Sequence, residues 1–143
     1  MRAAIFTGTR EATWTEEWVT PIRDGVIQNG FIIHGGARGV DAIAGQVAFE
    51  LGVSCLPVKA MWRDGNVYNK AAGIVRNNDM LDILLNIARH GWTVEIRAYH
   101  HDLHEHSGTL HMMRAGLSAG VPVLLNNEPW AGLPGEPVQE DLF

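Results

Sequence analysis

The chain is nearly free of cysteine: Cys55 stands alone among 143 residues. One thiol excludes an internal disulfide framework and any zinc site built on several cysteines. Long apolar runs are absent too. None approaches the roughly 18 residues that a membrane-spanning helix needs, and Ala3–Phe6 is too short for the apolar region of a secretory signal. The expectation is a soluble cytoplasmic protein with no membrane contact. Basic charge is scarce, since 11 Lys and Arg against 16 Asp and Glu leave −5 with neutral His. A domain that grips DNA chiefly by neutralising phosphates is usually basic, so that role loses weight. No G-x-G-x-x-G follows the first apolar run and no G-x-x-x-x-G-K-[ST] occurs, which removes the standard dinucleotide and P-loop sites. Internal repeats and low-complexity stretches are also missing.

What remains is an ordinary globular balance, 46% hydrophobic and 19% charged, in a length that fits one domain. Five short apolar runs recur: Ala3–Phe6, Phe31–Ile33, Val53–Val58, Val94–Tyr99 and Val121–Leu125. Runs of this kind read as strands buried on both faces of a parallel sheet. The segments between them have helical spacing. Ile43, Val47 and Leu51 share a face ahead of Gly52; Leu81, Leu84, Leu85 and Ala88 share one ahead of Gly91; Leu110, Met113 and Leu117 share one ahead of Gly120. Trp18, Ile22 and Val26 form a fourth face that Pro21 interrupts, so that helix either starts with Thr20 as N-cap or begins a turn earlier and carries the proline inside. The alternation predicts an α/β fold, a doubly wound, mainly parallel five-stranded sheet with helices on both faces. The domain is placed at residues 1–126. The remainder, 127–143, contains three of the six prolines and no period, and reads as a C-terminal tail.

In such a sheet, ligands bind beyond the carboxyl ends of the strands. Three of the predicted strands end in polar, glycine-bearing loops: Thr7-Gly8-Thr9-Arg10, then His34-Gly35-Gly36-Ala37-Arg38-Gly39-Val40-Asp41, then the long segment closing on Ser107-Gly108-Thr109. Glycines let the backbone approach a ligand, helix N-termini attract anions, and Arg10 and Arg38 can hold a phosphate in two-pronged contacts. Each loop alone reads first as a plain turn, the second of them as a helix entry with Arg38 and Asp41 as a structural pair. Three at one sheet edge predict a site for a phosphorylated small molecule, above all a nucleotide.

Taken together, Phe6-Thr7-Gly8-Thr9-Arg10, the His34–Asp41 string, Ala71-Ala72-Gly73-Ile74-Val75-Arg76-Asn77 and Ser107-Gly108-Thr109 resemble the YspA/YpsA-related branch of the SLOG superfamily, which includes the DprA-like and LOG proteins. The resemblance runs from about Ala3 to Asn126. It implies a Rossmann-like fold that binds nucleotides or nucleotide-derived ligands. Gly8, Thr9 and Arg10 would lie under the ligand, Gly35, Gly36, Arg38 and Asp41 beside it, and Ser107, Gly108 and Thr109 at its phosphate end. Trp62, Arg76 and Asn77 would meet base or ribose, with Trp62 either a stacking face or a packing residue. Self-association into a homodimer or higher homo-oligomer is implied as well, because LOG-type relatives form dimers. LOG enzymes cleave base from ribose 5′-phosphate with P-G-G-x-G-T-x-x-E. Here the P-G-G is missing and Met112 stands at the Glu position. A thioether neither gives nor takes a proton. A nucleotide N-glycosidase built on this chain would therefore need another carboxylate, with Asp41, Asp102 and Glu105 at hand. A DprA-like DNA-processing accessory is the third function in play.

Two features lie outside that pattern. His100, His101, His104, His106 and His111 crowd into twelve residues together with Asp102 and Glu105. Their spacings suit either a metal site or a solvated loop beside the ligand, and no metal is assigned. The chain closes on Gln139-Glu140-Asp141-Leu142-Phe143, which resembles the Q-x-[SD]-L-F peptide by which bacterial polymerases dock on the sliding clamp. Leu142 and Phe143 would fill an apolar pocket while Gln139 bonds at its rim, with Asp141 between.

Overall fold

The computed structural model of the chain describes residues 1–104 and 107–133, and of Asp64 only the backbone. The elements follow in the order β1 (Arg2–Gly8), α1 (Glu16–Val26), β2 (Phe31–His34), α2 (Val40–Leu51), β3 (Ser54–Pro57), β4 (Arg63–Asp64), β5 (Val67–Tyr68), α3 (Ala72–Arg89), β6 (Thr93–Tyr99), α4 (Gly108–Ser118), β7 (Val123–Leu125) and β8 (Glu128–Pro129). The main sheet runs β3-β2-β1-β6-β7-β8. Its first five strands pair in parallel, and β8 folds back antiparallel on β7. The α/β, doubly wound expectation therefore holds, and all five expected strands are present. The sheet has one more strand than expected, a two-residue addition too short to carry a period.

Strand alternation divides the core. Ala4, Phe6, Ile32 and Tyr99 face α1 and α2, where they meet Trp18, Ile22, Val26, Ile43 and Val47. Ala3, Ile5, Ile33, Ile96 and Ala98 face α3 and α4, where they meet Met80, Leu84, Met112 and Met113. The faces expected for the helices shift accordingly. Leu51 is largely exposed, and in α3 Leu81 and Leu85 are only partly buried while Met80 takes the centre. Helix α1 begins at Glu16 after Thr15, so Pro21 lies inside it. The proline removes one intrahelical donor. Its own carbonyl accepts from Asn127 Nδ2 at 3.0 Å.

The strand order contains one reversal. The chain moves outward from β1 through β2 to β3, then returns to add β6 and β7 on the opposite side of β1. The direction of winding thus reverses between β1 and β6. A crevice at the carboxyl ends of those two strands is where open α/β sheets bind ligands. Among the described residues no helix is long and apolar enough to cross a membrane.

Candidate functional site

The reversal point opens a cleft of about 770 Å³. Its floor is the end of β1, with Thr7, Gly8, Thr9 and Arg10; its sides come from the start of α2, the start of α3, the segment after β6 and the start of α4. The volume is that of a small-molecule site. Close approach of the backbone creates the floor. Thr9 N–H donates to Tyr99 O at 3.0 Å, and Val40 N–H at the head of α2 donates to Thr9 O at 3.1 Å. A Cβ on Gly8 would lie 2.3 Å from Tyr99 O and 2.6 Å from Val40 Cγ2, so only glycine lets β1, β6 and α2 converge there.

Asp41 and Arg76 form the polar wall. Asp41 is 6% exposed. Its Oδ2 accepts from Gly35 N at 3.0 Å and Ala37 N at 3.3 Å. Burial pushes the carboxyl up to about 6, against the opposing pull of the Ala37 amide, Arg76, the Gly35 amide and Arg10. Arg76 Nη1 donates to Gly35 O at 2.8 Å and Nε to Asn77 Oδ1 at 3.0 Å. Asn77 Nδ2 in turn donates to Gly108 O at 3.3 Å and lies 3.1 Å from His111 Nδ1, which ties α3 to α4. At the head of α4, Ser107 Oγ accepts from Thr109 N at 3.1 Å and Leu110 N at 3.4 Å, so the serine caps its own helix.

The Asp41 carboxyl carries a measurable cost. Its folded pKa of about 6 lies above the unfolded value of 3.8. The folded state therefore holds the proton more tightly, and stability falls as pH rises between those values and stays low above them. Asp41→Asn keeps an oxygen for the Gly35 and Ala37 amides and removes the buried charge. It is expected to raise the unfolding free energy at pH 7.5 by about 2–3 kcal/mol, with the gain vanishing near pH 4. Urea melts of both proteins across that pH range check it, and a gain that does not depend on pH would contradict it.

Two aromatic groups flank the cleft. Arg10 Cζ lies 5.9 Å from the centroid of Trp62, whose other neighbour is Tyr68 of the β4–β5 hairpin at 6.2 Å. Gly73 admits the same indole, since a Cβ there would sit 3.1 Å from Trp62 Cη2. On the other side Trp18 stacks on His101 at 4.2 Å, and His101 Nδ1 lies 3.5 Å from Glu17 Oε1. Burial lowers the pKa of His100, with His104 and His101 adding to the effect and Asp102 opposing it.

Of the residues expected at the site, Gly8, Thr9, Arg10, Asp41, Trp62, Arg76, Asn77, Ser107, Gly108 and Thr109 all line this cleft. The remaining three do not. A Cβ on Gly35 would lie 2.3 Å from Arg76 Nη1, so this glycine makes room for the guanidinium. Gly36 lies under Lys59. Arg38 is outside the lining, its side chain 74% exposed and 3.4 Å from Glu11, which does line the cleft. An Arg38–Asp41 pair does not form: Arg38 meets Glu11, and Asp41 Oδ2 accepts from backbone amides. Met112 is fully buried in the core and lies outside the cleft. His100, His101, Asp102, His104 and His111 all line the cleft, whereas Glu105 and His106 lie outside the described residues. Among the described residues, no three His, Cys, Asp or Glu side chains are grouped to hold a metal ion. Lys70 and Trp18 are lining residues that no sequence signal marked.

No family model matches the sequence, and no curated protein matches it. Solved structures do. DNA processing protein A (DprA) from Streptococcus pneumoniae matches with a TM-score of 0.63 at 14% identity, over 87% of this chain and 50% of DprA. TM1055, a structural genomics target, matches with a TM-score of 0.57 at 14% identity, over 86% of this chain and 72% of its own. The chain thus spans half the length of DprA. At such identity the likeness establishes a shared DprA-type fold.

Proposed function

We propose that the protein binds a nucleotide or nucleotide-derived phosphorylated ligand in this cleft, as a sensor or carrier module of the YspA/YpsA-related kind. The observation that carries this reading is the pairing of Arg10 with Trp62. One residue at the tip of β1 offers a guanidinium to a phosphate and lies over an indole on which a base can stack. Arg76 and Lys70 add positive charge along the same cleft. Calorimetric titration with adenosine 5′-monophosphate is expected to show binding that Trp62→Ala weakens roughly 5- to 100-fold, the worth of one base–aromatic stack. Absence of binding by any nucleoside phosphate, or full affinity in the variant, would overturn the reading.

A second reading is hydrolysis of the base–ribose bond, and Asp41 is the observation that favours it. It is a cleft carboxyl with its pKa raised to about 6, which suits a general acid. Free adenine released from the monophosphate, and lost in Asp41→Asn, would distinguish an enzyme from a binding module. Homo-oligomerisation goes with the binding reading, and a DprA-like DNA-processing accessory recruited to the sliding clamp is the remaining alternative. The clamp rests on Gln139, Asp141, Leu142 and Phe143, which lie outside the described residues.

A further inference from the structure

The Asp41 carboxylate is used only in part by the protein. Oδ2 takes both backbone amides, at 3.0 and 3.3 Å. Oδ1 has no hydrogen-bond partner among the described residues, yet it is not among their sealed, unpartnered polar atoms, and Asp41 lines the cleft. An acceptor so deeply buried, with one oxygen fixed and the other open to the cleft, calls for a donor from a ligand.

The neighbours narrow the donor. Asp41 feels both Arg76 and Arg10, and Arg10 lies over Trp62. Resting on the reading of the cleft as a nucleotide site, a phosphate held by the guanidiniums and a base stacked on Trp62 leave one part of the ligand between them, the sugar. We propose that Asp41 Oδ1 accepts a hydrogen bond from a ribose hydroxyl, so that the cleft selects ribonucleotides over deoxyribonucleotides. The fixed oxygen holds the open one in place, so little side-chain freedom is lost on binding. A missing hydroxyl leaves a buried carboxylate oxygen unpaired, which is the costly kind of mismatch.

The test is a two-by-three titration of wild type and Asp41→Asn with adenosine 5′-monophosphate and its 2′-deoxy and 3′-deoxy analogues. Wild type is expected to bind the ribonucleotide roughly tenfold or more tighter than at least one analogue, the scale of a hydrogen bond to a charged group. Asn keeps the amide contacts but exchanges the charged acceptor for a neutral donor that the hydroxyl oxygen can only meet weakly, so the preference is expected to shrink to a few-fold or less. Asp41→Ser, whose shorter side chain stops short of the sugar, is expected to bind all three alike. Equal affinities in wild type, or a preference that survives undiminished in either variant, overturn the role of Asp41 and leave the nucleotide site standing. Failure of wild type to bind any of the three overturns the site itself, and this inference with it.

Discussion

Gly39→Ala is expected to destabilise the protein by about 3–5 kcal/mol and to abolish the nucleotide binding proposed above. Two costs add at this position. The backbone has φ 79° and ψ −128°, a conformation that side chains with a Cβ avoid. A Cβ there would also lie 2.2 Å from Thr9 O, 2.6 Å from Arg10 Cα and 2.7 Å from Arg10 C. All three are main-chain atoms, so no rotamer change relieves the clash. Thr9 is pinned from both sides, donating to Tyr99 O at 3.0 Å and accepting from Val40 N at 3.1 Å. Relief must therefore come by pushing the Thr9–Arg10 turn out of place, and that turn is the floor of the cleft. Gly52→Ala isolates the strain from the clash. Gly52 also has positive φ, 71°, but an added Cβ would meet nothing within 4 Å. Its expected cost is about 1–2 kcal/mol, with binding intact. Chemical denaturation of the two variants side by side measures the difference. Equal losses would refute the account of how β1 and α2 meet.

This glycine also shows how far the sequence could be read. The string His34–Asp41 was legible as a loop at the strand ends, of which Ala37 and Asp41 reach the cleft, and the strands before and after it as a parallel sheet, because glycine spacing and apolar runs are local signals. The duties within the string were not legible. Gly35, Gly36 and Gly39 clear space for Arg76, Lys59 and the β1 turn, and each of those neighbours is remote in the chain. Arg38 looked like a phosphate ligand because a composition of Gly, Arg and Asp cannot show which way a side chain leaves the loop. Met112 is a related case. Matched against the LOG pattern, it occupies the catalytic Glu position, whereas in the fold the position is buried in the core cluster that also holds Ile5 and Ile96. The β4–β5 hairpin and β8 went unseen because two-residue strands have no period to detect. Trp18 reached the cleft through its stack on His101, a contact between segments more than eighty residues apart.

The least legible feature is the charge buried in β6. Val94–Tyr99 reads as an apolar run, yet Glu95 and Arg97 within it are each 3% exposed. Burial pushes the Glu95 carboxyl up, but hydrogen bonds from Arg97, Asn29 and Arg2 outweigh it, and the net pKa is lowered. Arg97 Nε donates to Glu95 Oε2, and Arg2 Nη2 reaches Oε1 at 2.6 Å. The other arms of the guanidinium donate to Asn127 Oδ1 at 3.0 Å and Gln28 Oε1 at 3.1 Å. Tyr99 OH donates to the same Asn127 oxygen at 2.7 Å. One arginine thus joins the strand beneath the cleft to the turn after β7 and to the segment after α1. Arg97→Met is expected to cost about 3–5 kcal/mol at pH 7, because it leaves a buried carboxylate short of its main partner. The sign of the pH dependence follows from the two pKa shifts. In wild type a depressed pKa gives stability that is present above the ordinary carboxylate range and lost as pH falls through it. In the variant burial prevails, the pKa of Glu95 rises, and protonation relieves the unpaired charge as pH falls. The gap between the two proteins therefore narrows towards pH 4, and Glu95→Gln added to Arg97→Met recovers part of the loss at pH 7. Urea melts at both pH values decide the matter: a cost below about 1 kcal/mol, or a gap that widens in acid, would show that this network does not hold β6 in place.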